Sequence, residues 1–463
     1  MSYEVIVVGG GIGGLTIAAL LSARGVNVCL FERDSQPGGC VANFEHLGYA
    51  FEPTTGLYEG FEQAGIYERI FHELAAPAPQ VRRVSPAYIV RLPDGNDIAA
   101  GDNAEQFESN LREAFPECAD AAISFYSDLA RAEVLDSSRQ PLATSLANTS
   151  PRFRSFIDAQ LQTFIQCSSA QCSLANAAAV LMSPRHGVFA IAGGAQSLAT
   201  SLCEATRKSG GTIRLNTPVL RLAYASDGSP VGVDLLSGER VLATRAIISN
   251  LTIWDTYGKL IGLSRTPADV SANLKTLHSC SAYLMFLAMD DTATFRLSGD
   301  RVLVMRDREP DNLEESSPEQ FMFAAAPEWD PRAPLGKRAA TVWSWTEAEE
   351  WFAFHEDNAE HEKMDQRRLE KFWTELHAAM PELGDSVEVI ETATPQTFYE
   401  GTRRKLGMVG GPSTGQANVK VNSHRTIFPN VFMVGDTVSG SAGIASVSSH
   451  ALSLANRLTG REE

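Results

Sequence analysis

The feature that most constrains the fold is a glycine-rich turn near the amino terminus. Gly9, Gly11 and Gly14 have the spacing GxGxxG, between an apolar run at residues 3–8, interrupted only by Glu4, and a helical pattern at residues 15–23. A short continuous apolar run is typical of a buried parallel strand. The first glycine permits a tight turn, the second lets the backbone approach a pyrophosphate, and the third lets the helix pack closely on the sheet. The pattern predicts strand, phosphate turn and helix.

An acidic residue at the end of the next strand narrows the choice of ligand. A second apolar run at residues 26–31 ends at Glu32, which lies 23 residues after Gly9. A carboxylate there accepts hydrogen bonds from ribose hydroxyls and repels a 2′-phosphate. The N-terminus of the helix after the glycine turn offers free N–H groups and a partial positive charge, which attract phosphate. The alternative is a glycine-rich turn beside a surface glutamate, but the strand–helix–strand context favours a dinucleotide, either FAD or NAD.

Two further segments favour FAD. A second pair of glycines at residues 38–39 follows soon after Glu32, whereas NAD enzymes usually continue with an ordinary third strand. Near the carboxyl terminus, a short apolar strand ends in Gly-Asp at residues 435–436, and a glycine-rich loop at residues 440–443 precedes a helix. The carboxylate can bind a ribityl hydroxyl, and the helix N-terminus can direct its dipole at a phosphate or at the flavin. Each segment alone is a common turn, but together they predict FAD.

These segments resemble the FAD-dependent phytoene desaturase and carotenoid isomerase family, within the wider amine-oxidase-like flavoprotein superfamily. The resemblance covers most of the chain; its segments are residues 32–33, 38–39, 48–56, 193–194, 210–219, 246–250 and 435–436. It implies an α/β fold with a Rossmann-like FAD-binding domain and a discontinuous α+β substrate domain that includes a helical part. We place the first domain at residues 1–75, 186–255 and 401–463, and the second at residues 76–185 and 256–400.

The resemblance and the motifs together imply a set of cofactor contacts. Val219 would hold the adenine through its backbone, the segment from Thr54 to Leu57 would lie near the isoalloxazine, and Ile444 would cover its pyrimidine side. The full set comprises Gly9, Gly11, Ile12, Gly13, Gly14, Glu32, Arg33, Gly38, Gly39, Cys40, Thr54, Thr55, Gly56, Leu57, Val219, Asn250, Gly435, Asp436, Gly443 and Ile444. The chain departs from the family at Cys40, where Arg or Asn is common, and at Glu52, where Asp is frequent.

The expected chemistry belongs to the flavin, which the protein positions and tunes. We expect hydride transfer from an activated C–H of a hydrophobic, polyene-like substrate, with loss of a proton nearby, or isomerisation of a polyene double bond. An amine or amino-acid oxidase on the same scaffold is the alternative, and a non-catalytic FAD-binding protein is a third. The electron acceptor stays open between oxygen, a quinone and none. The sequence names no catalytic residue.

Composition limits the partners and the compartment. The chain has 463 residues and a net charge of −17, which argues against nucleic acid and against polybasic attachment to an anionic membrane. Seven irregularly spaced cysteines indicate reduced thiols, and no stretch reaches the roughly 20 apolar residues of a spanning helix. We therefore expect a soluble cytoplasmic protein with no nucleic-acid partner, and leave peripheral contact at a membrane open.

Other clusters have simpler interpretations than a site. His355, Glu356, His361 and Glu362 lack the HExxH spacing and are interpreted as a solvated acidic face, so no metal is predicted. Trp343, Trp345 and Trp351 are interpreted as core residues rather than a channel lining, and Cys40 as a structural thiol rather than a redox or flavin-linked one. For Arg403, Arg404 and Lys405, a substrate carboxylate and a surface cluster both stay open.

Overall fold

The computed structural model of the protein describes residues 2–135, 140–306, 320–330, 332–353, 357–411, 424–439 and 443–461. Its strands in chain order are β1 (Ser2–Val8), β2 (Val28–Phe31), β3 (Phe44–His46), β4 (Tyr49–Phe51), β5 (Val81–Val84), β6 (Tyr88–Arg91), β7 (Asp97–Ala100), β8 (Val188–Ile191), β9 (Thr212–Arg214), β10 (Val219–Tyr224), β11 (Pro230–Leu235), β12 (Arg240–Ser249), β13 (Ser281–Asp290), β14 (Arg301–Met305), β15 (Gln320–Ala325), β16 (Lys337–Thr346), β17 (Val387–Ala393) and β18 (Val431–Met433).

The α-helices are α1 (Ile12–Ala23), α2 (Ile66–Glu73), α3 (Ala104–Ala114), α4 (Ala119–Leu135), α5 (Leu142–Ser145), α6 (Pro151–Ile165), α7 (Leu174–Leu181), α8 (Ser183–His186), α9 (Ala195–Lys208), α10 (Ile253–Asp255), α11 (Ala268–Thr276), α12 (Ala348–Phe352), α13 (Asn358–Ala379), α14 (Pro395–Thr402) and α15 (Ile444–Thr459). A π-helix, Thr256–Gly262, continues α10.

The first sheet has the order β10-β11-β12-β1-β2-β9, with β18 also beside β12. The central strand β1 is parallel to both β2 and β12, and β9 and β18 continue the parallel part. Helix α1 is buried on nearly all sides because α9 and α15 pack against it. The sequence prediction of strand, helix and strand at residues 3–31 is confirmed, with boundaries that agree within three residues.

One strand of this sheet differs from the sequence prediction. Residues 240–244 and 246–248 read as two short strands, but they form the single ten-residue strand β12. On one side, its residues 240–242 pair antiparallel with β11 and its residues 247–249 pair parallel with β18. On the other side, β1 pairs parallel with residues 242–249. The strand is continuous because β1 pairs with both predicted pieces, a long-range contact that the local sequence does not reveal.

The second sheet has the order β17-β13-β16-β15-β14-β6-β7 and is antiparallel except between β14 and β6. Strand β13 is buried on both faces. Its residues Leu284 and Phe286 belong to the core shared with helices α3 to α7, whereas Tyr283, Met285 and Leu287 belong to the core beneath α12 and α13. This sheet contains two strands that the sequence did not predict, β6 and β7. They form a hairpin that joins the sheet through the pairing of β6 with β14, which spans more than 200 residues.

The β3–β4 hairpin connects the glycine-rich amino-terminal region to the second sheet. The ring of Phe286 on β13 lies 5.0 Å from that of Phe44 and 5.1 Å from that of Phe51. The N–H of Ala50 donates to the carbonyl of Arg332 at 2.9 Å. Within the described residues, no helix combines the length and the apolar character that crossing a bilayer requires.

Candidate functional site

A cavity of about 1000 Å³ lies between the two sheets, at the upper end of the range for ligand pockets. Its lining includes Val8 and Phe31 from the ends of β1 and β2, and Leu284 and Trp343 from β13 and β16. The carboxyl ends of parallel strands are where α/β sheets bind their ligands. The cavity therefore joins the predicted phosphate turn to the interior of the second sheet.

The phosphate turn has the geometry that its glycines predict. Gly9 has φ +100°, a backbone angle that residues with a side chain rarely adopt. A Cβ on Gly14 would lie 2.1 Å from the carbonyl oxygen of Gly9, so the helix can approach the turn only without a side chain at that position. Gly11, Ile12 and Gly13 line the cavity, and no described side chain caps the N-terminus of α1. The first-turn N–H groups of α1 are therefore directed at the cavity.

Glu32 lies beside this turn with its carboxylate already oriented. Oε2 accepts from the N–H of Gly10 at 2.5 Å, and Oε1 accepts from the N–H of Asp34 at 2.9 Å. Burial raises the pKa of Glu32, while these backbone N–H groups oppose the rise. Each carboxylate oxygen keeps a lone pair for a ribose hydroxyl. Arg33 also lines the cavity, and its Nη2 donates to the carbonyl of Gly401 at 2.6 Å.

The carboxyl-terminal segment meets the amino-terminal turn at the cavity. Gly435 follows β18 with φ +116°, and a Cβ there would lie 3.2 Å from Oδ1 of Asn250. A Cβ on Gly13 would lie 2.7 Å from the same Oδ1 atom. Asn250 thus packs between two glycine turns that are more than 400 residues apart. Helix α15, which no described side chain caps at its N-terminus, lies beside α1, where Ser448 contacts Thr16 at 3.3 Å.

Eighteen of the twenty predicted cofactor residues line the cavity: Gly9, Gly11, Ile12, Gly13, Glu32, Arg33, Gly38, Gly39, Cys40, Thr54, Thr55, Leu57, Val219, Asn250, Gly435, Asp436, Gly443 and Ile444. Gly14 and Gly56 lie behind the lining. The carbonyl of Gly56 accepts from Nη2 of the buried Arg301 at 2.8 Å. Of the predicted loop at residues 440–443, residues 440–442 lie outside the described residues.

A buried group of charges supports the segment from Thr54 to Leu57. Glu52 accepts from Nη1 of Arg332 at 3.1 Å, from the N–H of Ala195 at 2.9 Å, and from the hydroxyl of Tyr58. Arg301 reaches the same segment through its bond to Gly56 and through Nε, which donates to the carbonyl of Thr55 at 3.2 Å. Sequence reasoning missed both arginines, because their partners lie more than 240 residues away in the chain. Arg301 lies on β14, and Arg332 lies in the loop between β15 and β16.

Aromatic side chains form one wall of the cavity, which we define as Tyr88, Phe164, Trp343 and Trp345. The rings of Tyr88 and Phe164 lie 5.1 Å apart, and so do those of Trp343 and Trp345. The prediction that the tryptophans are core residues is therefore wrong for Trp345, which is only partly buried, and incomplete for Trp343, which is buried but also faces the cavity. It is confirmed for Trp351, which is fully buried against Tyr283.

The structure also bears on the sequence hypotheses for the histidine–glutamate cluster, for Cys40 and for Arg404. His361 contacts the hydroxyl of Thr394 at 3.2 Å and the ring of Trp351, and no metal-like cluster occurs in the described part of the chain. His355 and Glu356 lie outside the described residues. Burial raises the pKa of the Cys40 thiol, which favours the unreactive protonated form and agrees with a structural role. Arg404 is bonded to Asp436 inside the cavity, so a surface cluster is wrong for this residue.

The groups around the turn fit the ADP part of FAD. Two helix N-termini without a described side-chain cap would supply N–H donors for phosphates, and the Glu32 carboxylate would accept from a ribose hydroxyl. The absence of Cβ atoms at Gly11 and Gly13 leaves the backbone accessible. Asp436 supplies a second carboxylate at the other end of the chain. This set of donors and acceptors is what a dinucleotide requires.

Comparisons with known proteins agree with this fit. The family described as flavin containing amine oxidoreductase matches residues 12–459. The chain is 24% identical to a chloroplastic prolycopene isomerase of Arabidopsis thaliana, over 98% of this chain and 82% of that protein. It is 23% identical to an all-trans-retinol 13,14-reductase of Danio rerio, over 93% of this chain and 82% of that protein.

The same fold occurs in a solved structure. An oxidoreductase from Methanosarcina mazei superposes with a TM-score of 0.69 at 18% identity, over 98% of this chain and 99% of the other. The family match extends over nearly the whole chain and includes α1 and α15, whose N-termini both face the cavity. The chain therefore belongs to the flavin-containing amine oxidoreductase family and is an FAD-dependent oxidoreductase.

Proposed function

We propose that this enzyme desaturates or isomerises a hydrophobic, polyene-like substrate held against the aromatic wall. The observation that carries the proposal is that the aromatic wall and the dinucleotide-binding groups line a single cavity. Aromatic faces pack well on extended conjugated chains, and they offer few hydrogen bonds to a polar substrate. The names of the relatives point the same way, since one isomerises prolycopene and the other reduces retinol.

The twenty residues predicted from the sequence would hold the cofactor. The turn at Gly9–Gly14 and Glu32 would bind the ADP part, Val219 the adenine, and Asp436 the ribityl chain. The flavin supplies two-electron chemistry, accepting or returning a hydride. The protein's part is to exclude water with the aromatic wall and to hold the substrate in one orientation.

The finer assignments rest on the same proposal. We propose that residues 1–75, 186–255 and 401–463 form the FAD-binding domain and that residues 76–185 and 256–400 form the substrate domain. All the strands of the first sheet lie in the former ranges, and all the strands of the second sheet lie in the latter. All seven cysteines are free, which supports a reducing, cytoplasmic compartment. Oxygen, a quinone or no external acceptor at all are compatible with the site, as is contact with a membrane surface.

The decisive experiment is an anaerobic screen of the purified, FAD-loaded protein. Cis and trans carotenoids and retinoids in detergent micelles form one arm, and primary amines and amino acids form the other. We expect bleaching of the flavin absorbance by a polyene, or conversion of a cis-polyene by the dithionite-reduced protein, followed by chromatography of the product. Rapid bleaching by an amine, with every polyene unchanged, would replace the proposal with an amine oxidase.

A further inference from the structure

Glu59 places a carboxyl group inside the cavity next to the segments that we assign to the flavin. It lies two residues after Leu57, lines the cavity, and is exposed to it. The following residue, Gly60, packs against the first turn of α15, where a built Cβ would lie 3.1 Å from Cβ of Ala445. Glu59 therefore lies between the Thr54–Leu57 segment and the N-terminus of α15.

The surroundings of Glu59 belong to the substrate side of the cavity. The hydroxyl of Ser183 on α8 hydrogen-bonds the carboxylate. Tyr88, a member of the aromatic wall, is close enough to interact with it electrostatically. The other titratable groups that act on Glu59 are Glu62, on its own segment, and His186, at the end of α8. A carboxyl group in this position would face an apolar chain bound against the aromatic wall.

The other acidic residues that line the cavity are held by structural partners: Glu32 by two backbone N–H groups, Asp34 by Arg33, Asp255 by Lys259 and Asp436 by Arg404. Each of these bonds directs the carboxylate toward the backbone or toward a cation. Glu59 is hydrogen-bonded by a small neutral hydroxyl, which leaves lone pairs on its carboxylate available in the cavity. Among the described lining residues, it is the acidic group best placed to exchange a proton with a substrate.

We propose that Glu59 accepts the proton that the substrate loses in the desaturation step, an inference that rests on the proposed function. Two neighbouring C–H bonds of the substrate break. One hydrogen leaves with its bonding pair as hydride, for which the bound FAD is the oxidant. The other leaves as a proton and bonds to a carboxylate oxygen of Glu59, while its C–H pair becomes the new π bond. In the saturating direction, the same carboxyl group returns the proton.

The environment of Glu59 suits this exchange and predicts its pH dependence. Glu59 is open to the cavity but surrounded by protein, and the resulting desolvation raises the pKa of its carboxyl group, with the Ser183 hydroxyl opposing the rise and Glu62 adding to it. A raised pKa brings a carboxyl group closer to the operating pH, where proton transfer in both directions is efficient. Proton acceptance requires the ionised form. The rate of anaerobic flavin reduction by substrate should therefore rise as the pH passes upward through the raised pKa.

The test compares Glu59→Gln with Glu59→Asp and with the control Glu68→Gln, which removes an exposed carboxylate outside the cavity on the same part of the chain. We expect Glu59→Gln to keep its FAD content and visible spectrum. Its anaerobic reduction by the active polyene should slow by about 100-fold or more, within the usual contribution of a general base, and lose its pH dependence. Glu59→Asp should recover part of the rate, and Glu68→Gln should match the wild type.

A second readout needs no substrate. Infrared titration of the resting protein should show a protonated carboxyl band that persists above the usual range for glutamate and disappears in Glu59→Gln. A wild-type reduction rate in Glu59→Gln would overturn the role of Glu59 and leave the proposed function standing. If the wild-type protein acts on no polyene, the proposed function falls, and this inference falls with it.

Discussion

Arg404 and Asp436 form a bidentate ion pair at the cavity. Nη1 donates to Oδ1 at 3.2 Å and Nη2 donates to Oδ2 at 2.8 Å, while Nε donates to the carbonyl of Met408 at 2.6 Å. Burial alone would lower the pKa of Arg404, but the Asp436 carboxylate raises it overall. The arginine thus stays charged and connects the segment after α14 to the turn after β18, holding the carboxylate that we assign to the ribityl chain.

Replacing Arg404 with Lys should weaken FAD binding while keeping the positive charge. A lysine cannot donate from two nitrogens in a plane, so Asp436 would lose its fixed orientation. We expect the dissociation constant of FAD, measured by fluorescence titration of the apoprotein, to rise about tenfold, because hydrogen bonds to charged groups contribute about 1.5 kcal/mol or more. Lys405→Met, which removes the neighbouring cation outside the cavity, is the control. An unchanged constant in Arg404→Lys would contradict the role of this pair.

Adding one methyl group at Gly14 should disrupt the phosphate turn. The new Cβ would lie 2.1 Å from the carbonyl oxygen of Gly9, a contact that only a backbone shift can relieve. Overpacking of this kind costs about 1–3 kcal/mol, so Gly14→Ala should lower Tm and reduce the FAD retained on purification. Gly258→Ala is the matched control, since nothing lies within 4 Å of a Cβ there. Equal FAD content and Tm in the two variants would show that the turn tolerates the shift.

Neutralising Glu52 should destabilise the junction beneath the Thr54–Leu57 segment. The Glu52 carboxylate accepts from Tyr58, Ala195 and Arg332, and a glutamine would direct N–H groups at one of these donors. Breaking a buried ion pair from one side costs about 3–5 kcal/mol, which we expect for Glu52→Gln in chemical denaturation.

The control for this prediction is Glu360→Gln, which breaks the exposed pair with Lys363. Exposed pairs contribute about 1 kcal/mol or less. A loss for Glu52→Gln no larger than that of the control would mean that the buried charges around Glu52 do not hold the segment.

His450 should make the protein less stable in mild acid. Burial, with a smaller effect from His424, lowers the pKa of His450 from 6.5 to about 4, and the two rings stack 3.7 Å apart. Between these values the unfolded chain binds the proton and the folded one does not. The contribution of His450 to the free energy of unfolding is therefore fully present above pH 6.5 and is lost as the pH falls toward 4.

Thermal unfolding at about pH 7.5 and about pH 5 measures this effect. The fall in Tm between the two should be smaller in His450→Phe than in the wild type. His72→Phe, which replaces an exposed histidine, should leave the fall unchanged. A fall of the same size in His450→Phe would assign the acid sensitivity to other groups.

Much of the cofactor half was predictable from sequence because its signals are local. The spacing of Gly9, Gly11 and Gly14 follows from turn geometry and helix packing, and the position of Glu32 follows from the length of one strand–helix–strand unit. Even β12, misread as two strands, was found at the right residues. The two ends of the chain each carried a recognisable turn, although their meeting at Asn250 was visible only in three dimensions.

The sequence by itself determined the amino-terminal strand, helix and strand, because glycine geometry and a strand-end carboxylate leave few alternatives to a dinucleotide. The second glycine pair at residues 38–39 and the Gly-Asp turn at residues 435–436 then favoured FAD over NAD. Only the tertiary structure decided what the rest of the cavity contains. Trp345 and Glu59 carry no local pattern that separates a cavity residue from a core or surface residue. Their positions depend on pairing between strands that are far apart in the chain, and on the approach of the second sheet to the first. Such contacts come from packing and burial, which neighbouring residues do not specify.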